Sequence, residues 1–132
     1  MLLVDPVLPA PGADRERFRR AINRDLARLG GPVHVMLTRA AQPRDAGALA
    51  RMTGGDIWTM GDPLPPGMQA VPTGREGEVA LWSDPHAALM PGGALVVHGG
   101  EVVAAPGADG PALLALAPAV IIPSVGPMVT GG

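Results

Sequence analysis

Few side chains in this sequence could carry chemistry. His34, His86 and His98 are the side chains that ordinarily titrate near neutral pH. Cysteine is absent, which excludes disulfides, thiolate metal sites and cysteine nucleophiles. Lysine is absent as well, which excludes Schiff-base chemistry. Ser83 and Ser124 fall in predicted turns without the Gly-x-Ser-x-Gly context of an activated serine, so nucleophilic catalysis is not indicated.

The positive charge of the chain is carried entirely by arginine. Six of the ten arginines fall in one predicted helix: Arg15, Arg17, Arg19, Arg20, Arg24 and Arg28. Asp14, Glu16 and Asp25 lie between them, no aromatic platform accompanies them, and the net charge of the chain is −2. This pattern is typical of a solvated helix face rather than a nucleic-acid footprint, so we expect no nucleic-acid partner.

The first half of the chain alternates short apolar runs with helical periodicity. We predict strands at Leu2–Val4, Val33–Leu37 and Ile57–Met60, with helices at Asp14–Leu29 and Arg44–Met52. This order predicts an α/β fold whose first strands are parallel.

The first helix has recognisable signals. Phe18, Ile22, Leu26 and Leu29 recur at spacings of three and four and predict one apolar face. Asp14 is expected to cap the start of the helix, and the Gly30-Gly31 pair to end it.

The second half of the chain is mostly strands. The predicted strands are Met68–Val71, Glu78–Trp82, Ala94–His98, Val102–Ala105 and Val120–Ile122, with one short helix at Pro111–Leu116. His34 falls within a predicted strand, which favours a hydrogen-bonded sheet residue, and His86 falls in a turn and is expected to be exposed.

Length and composition indicate one soluble domain. The chain has 132 residues, of which 47% are apolar, and we treat 1–132 as a single domain. No targeting segment is recognisable, and the longest apolar stretch, Pro111 to Pro123, is too short to span a bilayer. We therefore expect a cytoplasmic protein without a membrane partner.

Several stretches, in order, resemble the metallo-β-lactamase fold. They are Leu3–Pro6, Val35–Thr38, Gly77–Trp82, Ala94–Val97 and Ile121–Gly126. The resemblance covers nearly the whole chain and implies a layered αββα sandwich. It also implies that this chain is shortened at its N-terminus, because the family has several strands before the one that ends here in Asp5.

The metal-binding histidines of that family are missing. The family holds its metals through a His-x-His-x-Asp-His cluster after the Leu-Thr strand, and the segment after Thr38 contains no histidine. Aligned with a compressed His-His-x-Arg-Asp loop, Ala41 and Gln42 replace the histidines while Arg44 and Asp45 remain.

The later ligand loops have changed too. The second loop, Thr73–Gly77, has no histidine, His98 replaces the start of the Gly-Asp turn, and Val125 stands at the last histidine position. A metal site needs three or four converging ligands, so the resemblance implies a pseudoenzyme with no metal or other cofactor.

The resemblance places several polar residues around the former metal cleft. They are Arg39, Gln42, Arg44, Asp45, Arg75 and His98. In one interpretation the arginines bind a small anion, with Asp45 orienting them and His98 as the general-base candidate. In the other, the arginines pair with Asp45 and Glu76 and only fill the vacated cleft.

Three functions follow from this reasoning. The first is a non-catalytic interaction or scaffold module, the second is a binder of small anions or other small molecules, and the third is a metal-dependent hydrolase with unconventional ligands. We also expect a homodimer, because a shortened sandwich would leave an apolar sheet to be covered by a second copy.

Overall fold

The computed structural model describes residues 1–39, 45–124 and 128–130. Over these residues the chain is a mixed α/β protein, which confirms the predicted class. Two compact units are present: one contains 1–37 and 45–58, and the other contains 38–39, 59–124 and 128–130. Within the described ranges, no helix combines the length and apolar character needed to cross a membrane.

The first unit is built on a parallel three-stranded sheet. In chain order it contains β1 (Leu2–Val4), α1 (Ala13–Leu29), β2 (His34–Met36), α2 (Ala46–Thr53) and β3 (Asp56–Trp58). Strand β2 lies between β1 and β3, and both pairings are parallel. A helix lies between successive strands in the chain because parallel neighbours need a crossover connection. The predicted parallel first half is therefore confirmed.

Helix α1 begins one residue earlier than the sequence predicts. Gly12 occupies the cap position with a φ of 138°, and no side chain caps the helix. The prediction that Asp14 caps it is wrong, because Asp14 lies inside the first turn and its carboxylate pairs with Arg17 at 3.0 Å. The predicted end is confirmed: Gly30 caps the helix, and its N–H donates to the Leu26 carbonyl at 3.0 Å.

The apolar face of α1 is shorter than predicted. Ile22 is buried, and Phe18 and Leu26 are partly buried. Leu29 is instead 61% exposed, because it is the last helical residue and the chain turns at Gly30, whose φ is 63°. Burial therefore weakens towards the end of the helix.

Helix α2 packs on the sheet as its pattern predicts. Ala46 and Leu49 are buried, and Ala50 packs against the cluster formed by Val35, Leu37 and Ala46. The helix begins at Ala46 rather than Arg44 and ends before Gly54, which adopts the left-handed conformation.

Strand β3 ends two residues before the predicted boundary at Met60. One oxygen of the Asp62 carboxylate accepts both the backbone N–H and the hydroxyl of Thr59, at 2.9 and 3.0 Å. Asp62 N–H donates back to the Thr59 carbonyl at 3.1 Å. These bonds form a turn, and the strand stops at Trp58.

The second unit contains a mixed five-stranded sheet and a separate hairpin. Its elements are β4 (Met68–Pro72), β5 (Val79–Ser83), β6 (Ala88–Met90), β7 (Leu95–His98), β8 (Glu101–Ala104), α3 (Gly110–Leu114), β9 (Val120–Ile121) and β10 (Val129–Thr130). The large sheet has the order β10-β9-β6-β5-β4, and β7 pairs only with β8 among the described strands. Among the described strands of the large sheet, only the β6–β9 pairing is parallel.

The sequence prediction missed β6 and β10. Strand β6 is central and all three of its residues are buried. A three-residue apolar run without alternation, followed directly by Pro91, carries no strand signal of its own. Strand β10 has two residues and forms only by pairing with β9.

The core of the second unit joins its sheet to α3 and the hairpin. Its buried members are Ala80, Trp82, Leu89, Ala94, Leu95, Leu113 and Ile121. The indole N–H of Trp82 donates to Asp84 Oδ1 at 2.6 Å, so burial of the ring leaves its polar atom paired. This core supports β5, the strand next to the candidate site.

Candidate functional site

The candidate site begins at the backbone of Thr38 and Arg39. The N–H of Val79 donates to the Thr38 carbonyl at 2.9 Å, and Arg39 forms an isolated antiparallel bridge with Glu78. Thr38 is fully buried. The residues after the predicted Leu-Thr strand are therefore held against the start of β5.

Glu78 is the centre of the site. Its side chain is only 2% exposed, and its Oε2 accepts a hydrogen bond from Arg39 Nε at 2.8 Å. Arg75 Nη2 lies 3.5 Å from the same oxygen. We call Arg39, Arg75 and Glu78 the arginine–glutamate cluster. A carboxylate this deeply buried needs such partners, because an unpaired buried charge is strongly destabilising.

Arg75 is held by the turn that carries it. Its backbone N–H donates to Thr73 Oγ1 at 3.2 Å, and Thr73 is fully buried. Its Nη1 donates to the Gly93 carbonyl at 3.2 Å. Arg75 therefore links the 73–78 turn to the loop between β6 and β7, and its side chain is 22% exposed.

Two charge features distinguish the cluster. It contains two guanidinium groups and one carboxylate, so it carries one positive charge in excess. The other carboxylate oxygen, Glu78 Oε1, is buried and has no hydrogen-bond partner among the described residues. Arg39 is 41% exposed, so the excess charge lies partly at the surface.

Gly92 gives the neighbouring loop its close packing. Its φ is 60°, and a Cβ atom at this position would overlap Thr38 Oγ1. Glycine is needed here for both its backbone conformation and its lack of a side chain. Gly92 and Gly93 together bring the loop backbone next to Thr38 and Arg75.

The described contact of Asp45 is with a backbone N–H. Asp45 belongs to the first unit, where its Oδ2 accepts the backbone N–H of Leu8 at 2.7 Å. Its carboxylate thus ties the segment after β1 to the start of α2. Gln42 and Arg44, the two predicted neighbours of Asp45 at the site, lie outside the described residues.

The histidines lie outside the cluster. His98 ends β7, pairs with Glu101 across the Gly99-Gly100 turn, and is exposed. Among the described residues no hydrogen bond or ion pair joins it to Arg39 or Arg75. His34 lies in the central strand β2, and His86 is exposed in a turn, as predicted.

Glu78 is the site residue that sequence reasoning missed. The sequence predicts Glu76 as the alternative partner of the arginines, but Glu76 is exposed. Glu78 instead forms the ion pairs with Arg39 and Arg75. The spacing of three residues between Arg75 and Glu78 was a usable signal. The contact with Arg39 spans 39 residues and has no local signature.

The donor set of the cluster does not fit a metal ion. Guanidinium groups are always protonated and have no lone pair to offer, and two of them surround the single carboxylate. Within the described ranges, no three His, Cys, Asp or Glu side chains are grouped as metal ligands would be. The arrangement instead suits a negatively charged ligand.

No family model matches the chain, and no curated protein matches it either.

Proposed function

We propose that this chain is a non-catalytic binding module that holds a small anion at the arginine–glutamate cluster. The observation that carries this proposal is the excess charge: two guanidiniums share one buried carboxylate, and Arg39 remains 41% exposed. An arginine in this position presents planar N–H donors that match the oxygens of an anion.

The contacts around Arg39 support this proposal because they restrict its motion. The backbone bridge to Glu78 positions its Cα, and the bond from Nε to Glu78 Oε2 orients its guanidinium. Its two Nη groups have no partner among the described residues. A donor that is already oriented loses less conformational entropy when it binds a ligand.

The same contacts bear on the proposed ancestry. We propose that the chain is a degenerate relative of the metallo-β-lactamase fold, with its αββα sandwich. Arg39 follows the Leu-Thr segment, and Arg75 lies in the second loop that the resemblance singles out. The pairing of both with Glu78 supports this proposal, since in that fold these two loops lie at one site.

Titration of the protein with sodium phosphate tests anion binding, with the backbone N–H chemical shifts of Glu78 and Val79, which every variant retains, as the readout. We expect the shifts to saturate and the affinity for the anion to fall at least tenfold in Arg39→Gln, because a charge-assisted hydrogen bond contributes about 1.5–3 kcal/mol. Arg28→Gln is the matched control, since Arg28 is an exposed arginine on α1 in the other unit. Shifts that do not saturate, or that weaken equally in both variants, would contradict the proposal.

Homodimer formation is a second candidate function, favoured by apolar side chains exposed on strands. Ile57 lies on the edge strand β3 and is 40% exposed, and Val103 on the hairpin is 43% exposed. A second copy that pairs with or covers these strands would bury them.

Sedimentation velocity at micromolar concentration tests the dimer. We expect a dimer that dissociates in Ile57→Glu or Val103→Glu and persists in Val7→Glu, since Val7 is exposed outside the strands. A wild-type monomer across the concentration range would exclude this function and leave the anion-binding proposal untouched.

A further inference from the structure

The unpaired oxygen of Glu78 restricts which anion the cluster would accept. Glu78 Oε1 is buried without a hydrogen-bond partner among the described residues, while Oε2 is bound by Arg39 and approached by Arg75. A buried acceptor without a donor is unfavourable, and an ionised carboxylate can only accept. A ligand that brings a proton to this carboxylate would therefore be favoured over one that brings only lone pairs.

We propose that the ligand is a tetrahedral oxyanion that carries a proton at neutral pH, of the phosphate class. This inference rests on the proposed anion-binding function and adds the chemical class of the ligand. The oxyanion lies beside the Arg39–Glu78 contact, where its charged oxygens accept from the Arg39 Nη groups. Its O–H donates to the Glu78 carboxylate.

The geometry of the Arg39–Glu78 contact gives the ligand its way in. Arg39 holds Glu78 through a single described hydrogen bond of 2.8 Å, and its side chain is 41% exposed. Arg39 keeps this bond when a ligand binds at its Nη groups, and Arg75, anchored at the Gly93 carbonyl, stays beside the same carboxylate. The ligand then bridges the Arg39 Nη groups and the Glu78 carboxylate.

The same carboxylate acts against oxyanions without a proton. Sulfate is fully deprotonated at neutral pH, so its oxygens would face the Glu78 carboxylate as one acceptor against another. Such an arrangement combines charge repulsion with a missing hydrogen bond. Phosphate retains at least one proton under the same conditions and avoids both penalties.

Four inorganic anions separate this inference from simple charge binding. Phosphate and arsenate carry a proton at neutral pH, while sulfate and selenate are similar in size and shape but carry none. Isothermal titration calorimetry of the wild-type chain, at fixed ionic strength, is expected to give at least tenfold tighter binding of the protonated pair. Equal affinity for all four anions would overturn the inference while leaving the proposed anion binding intact.

A variant locates the discrimination at Glu78. In Glu78→Gln, whose amide can donate as well as accept, we expect the phosphate-to-sulfate affinity ratio to fall close to one, mainly through tighter sulfate binding. Glu76→Gln is the matched control and should keep the wild-type ratio, because Glu76 is exposed and outside the cluster. An unchanged ratio in folded Glu78→Gln would overturn the inference. If that variant does not fold, the comparison of the four anions on the wild-type chain still decides the inference. A wild-type chain that binds none of the four anions would instead contradict the proposed function.

Discussion

Arg39 and Glu78 are joined twice, once by a β-bridge between their backbones and once by the 2.8 Å hydrogen bond from Arg39 Nε to Glu78 Oε2. The bridge places the two Cα atoms opposite each other, so little further conformational entropy is lost when the two side chains pair. The pair therefore fastens the segment after β2 to the start of β5 and at the same time orients the guanidinium.

Removing the charge of Glu78 is expected to destabilise the fold. Glu78→Gln leaves Arg75 near an uncharged amide, and we expect a loss of about 2 kcal/mol in the free energy of unfolding. This is below the 3–5 kcal/mol typical of a broken buried pair, because Arg39 is half-exposed and can be solvated. Urea unfolding measures the change. Glu76→Gln provides the control, because Glu76 is exposed. A loss of similar size in that variant would show that the buried ion pair is not the cause of the destabilisation.

Gly92 is expected to tolerate alanine much less well than Gly99. Their φ angles are nearly equal, at 60° and 58°, but a Cβ at Gly92 would overlap Thr38 whereas Gly99 has open space around it. Gly99→Ala should therefore cost about 1 kcal/mol from backbone strain alone. Gly92→Ala should cost about 3 kcal/mol, since overpacking is added. Thermal unfolding of the two variants compares them directly, and equal losses would rule out a steric role for Thr38.

Much of the fold was predictable because its signals are local. The periodicity of Phe18, Ile22 and Leu26 and the glycine after Leu29 locate α1 within one residue. The short apolar runs at β1, β2 and β3 likewise predict parallel strands separated by helices. By contrast, β6 is three apolar residues long, and it becomes a strand only because β5 and β9 pair with its two edges.

The site was predicted less completely, for a similar reason. Arg39 and Arg75 were recognised as candidates, but the carboxylate that joins them is 39 residues from one of them. Glu78 and Glu76 have the same chemistry, and only burial next to β5 distinguishes them. One oxygen of the Asp45 carboxylate accepts from the Leu8 backbone, a long-range contact that no sequence pattern shows, and its predicted neighbour Arg44 lies outside the described residues.

Leu113 and Leu114 are expected to differ sharply in their contribution to stability. Both lie in α3, but Leu113 is fully buried in the core of the second unit and Leu114 is 43% exposed. Leu113→Ala should cost about 2–5 kcal/mol because it removes packed methyl groups and leaves a cavity. Leu114→Ala should stay within about 0.5 kcal/mol of wild type. Chemical denaturation tests the pair, and similar losses would contradict the orientation of α3.

The Asp62 carboxyl is expected to titrate below its ordinary pKa of 3.8. The backbone N–H of Thr59 is the larger cause and its hydroxyl the second, since both donate to the ionised form and lower the pKa. Because the folded pKa is depressed, the unfolded chain binds more protons in this range. The stabilisation from Asp62 is therefore complete above the ordinary pKa and is lost as the pH falls through the folded value.

Thr59→Val separates the two donors. It removes the hydroxyl and keeps the backbone N–H, so we expect the pKa of Asp62 to rise only part of the way to its ordinary value. A titration of the side-chain carboxyl carbon by NMR measures the change. Thr53→Val serves as the control, because the Thr53 hydroxyl donates to the Leu49 carbonyl within α2 and does not contact Asp62. A complete return to 3.8 in Thr59→Val would show that the hydroxyl, rather than the backbone, holds the Asp62 carboxylate in its ionised form.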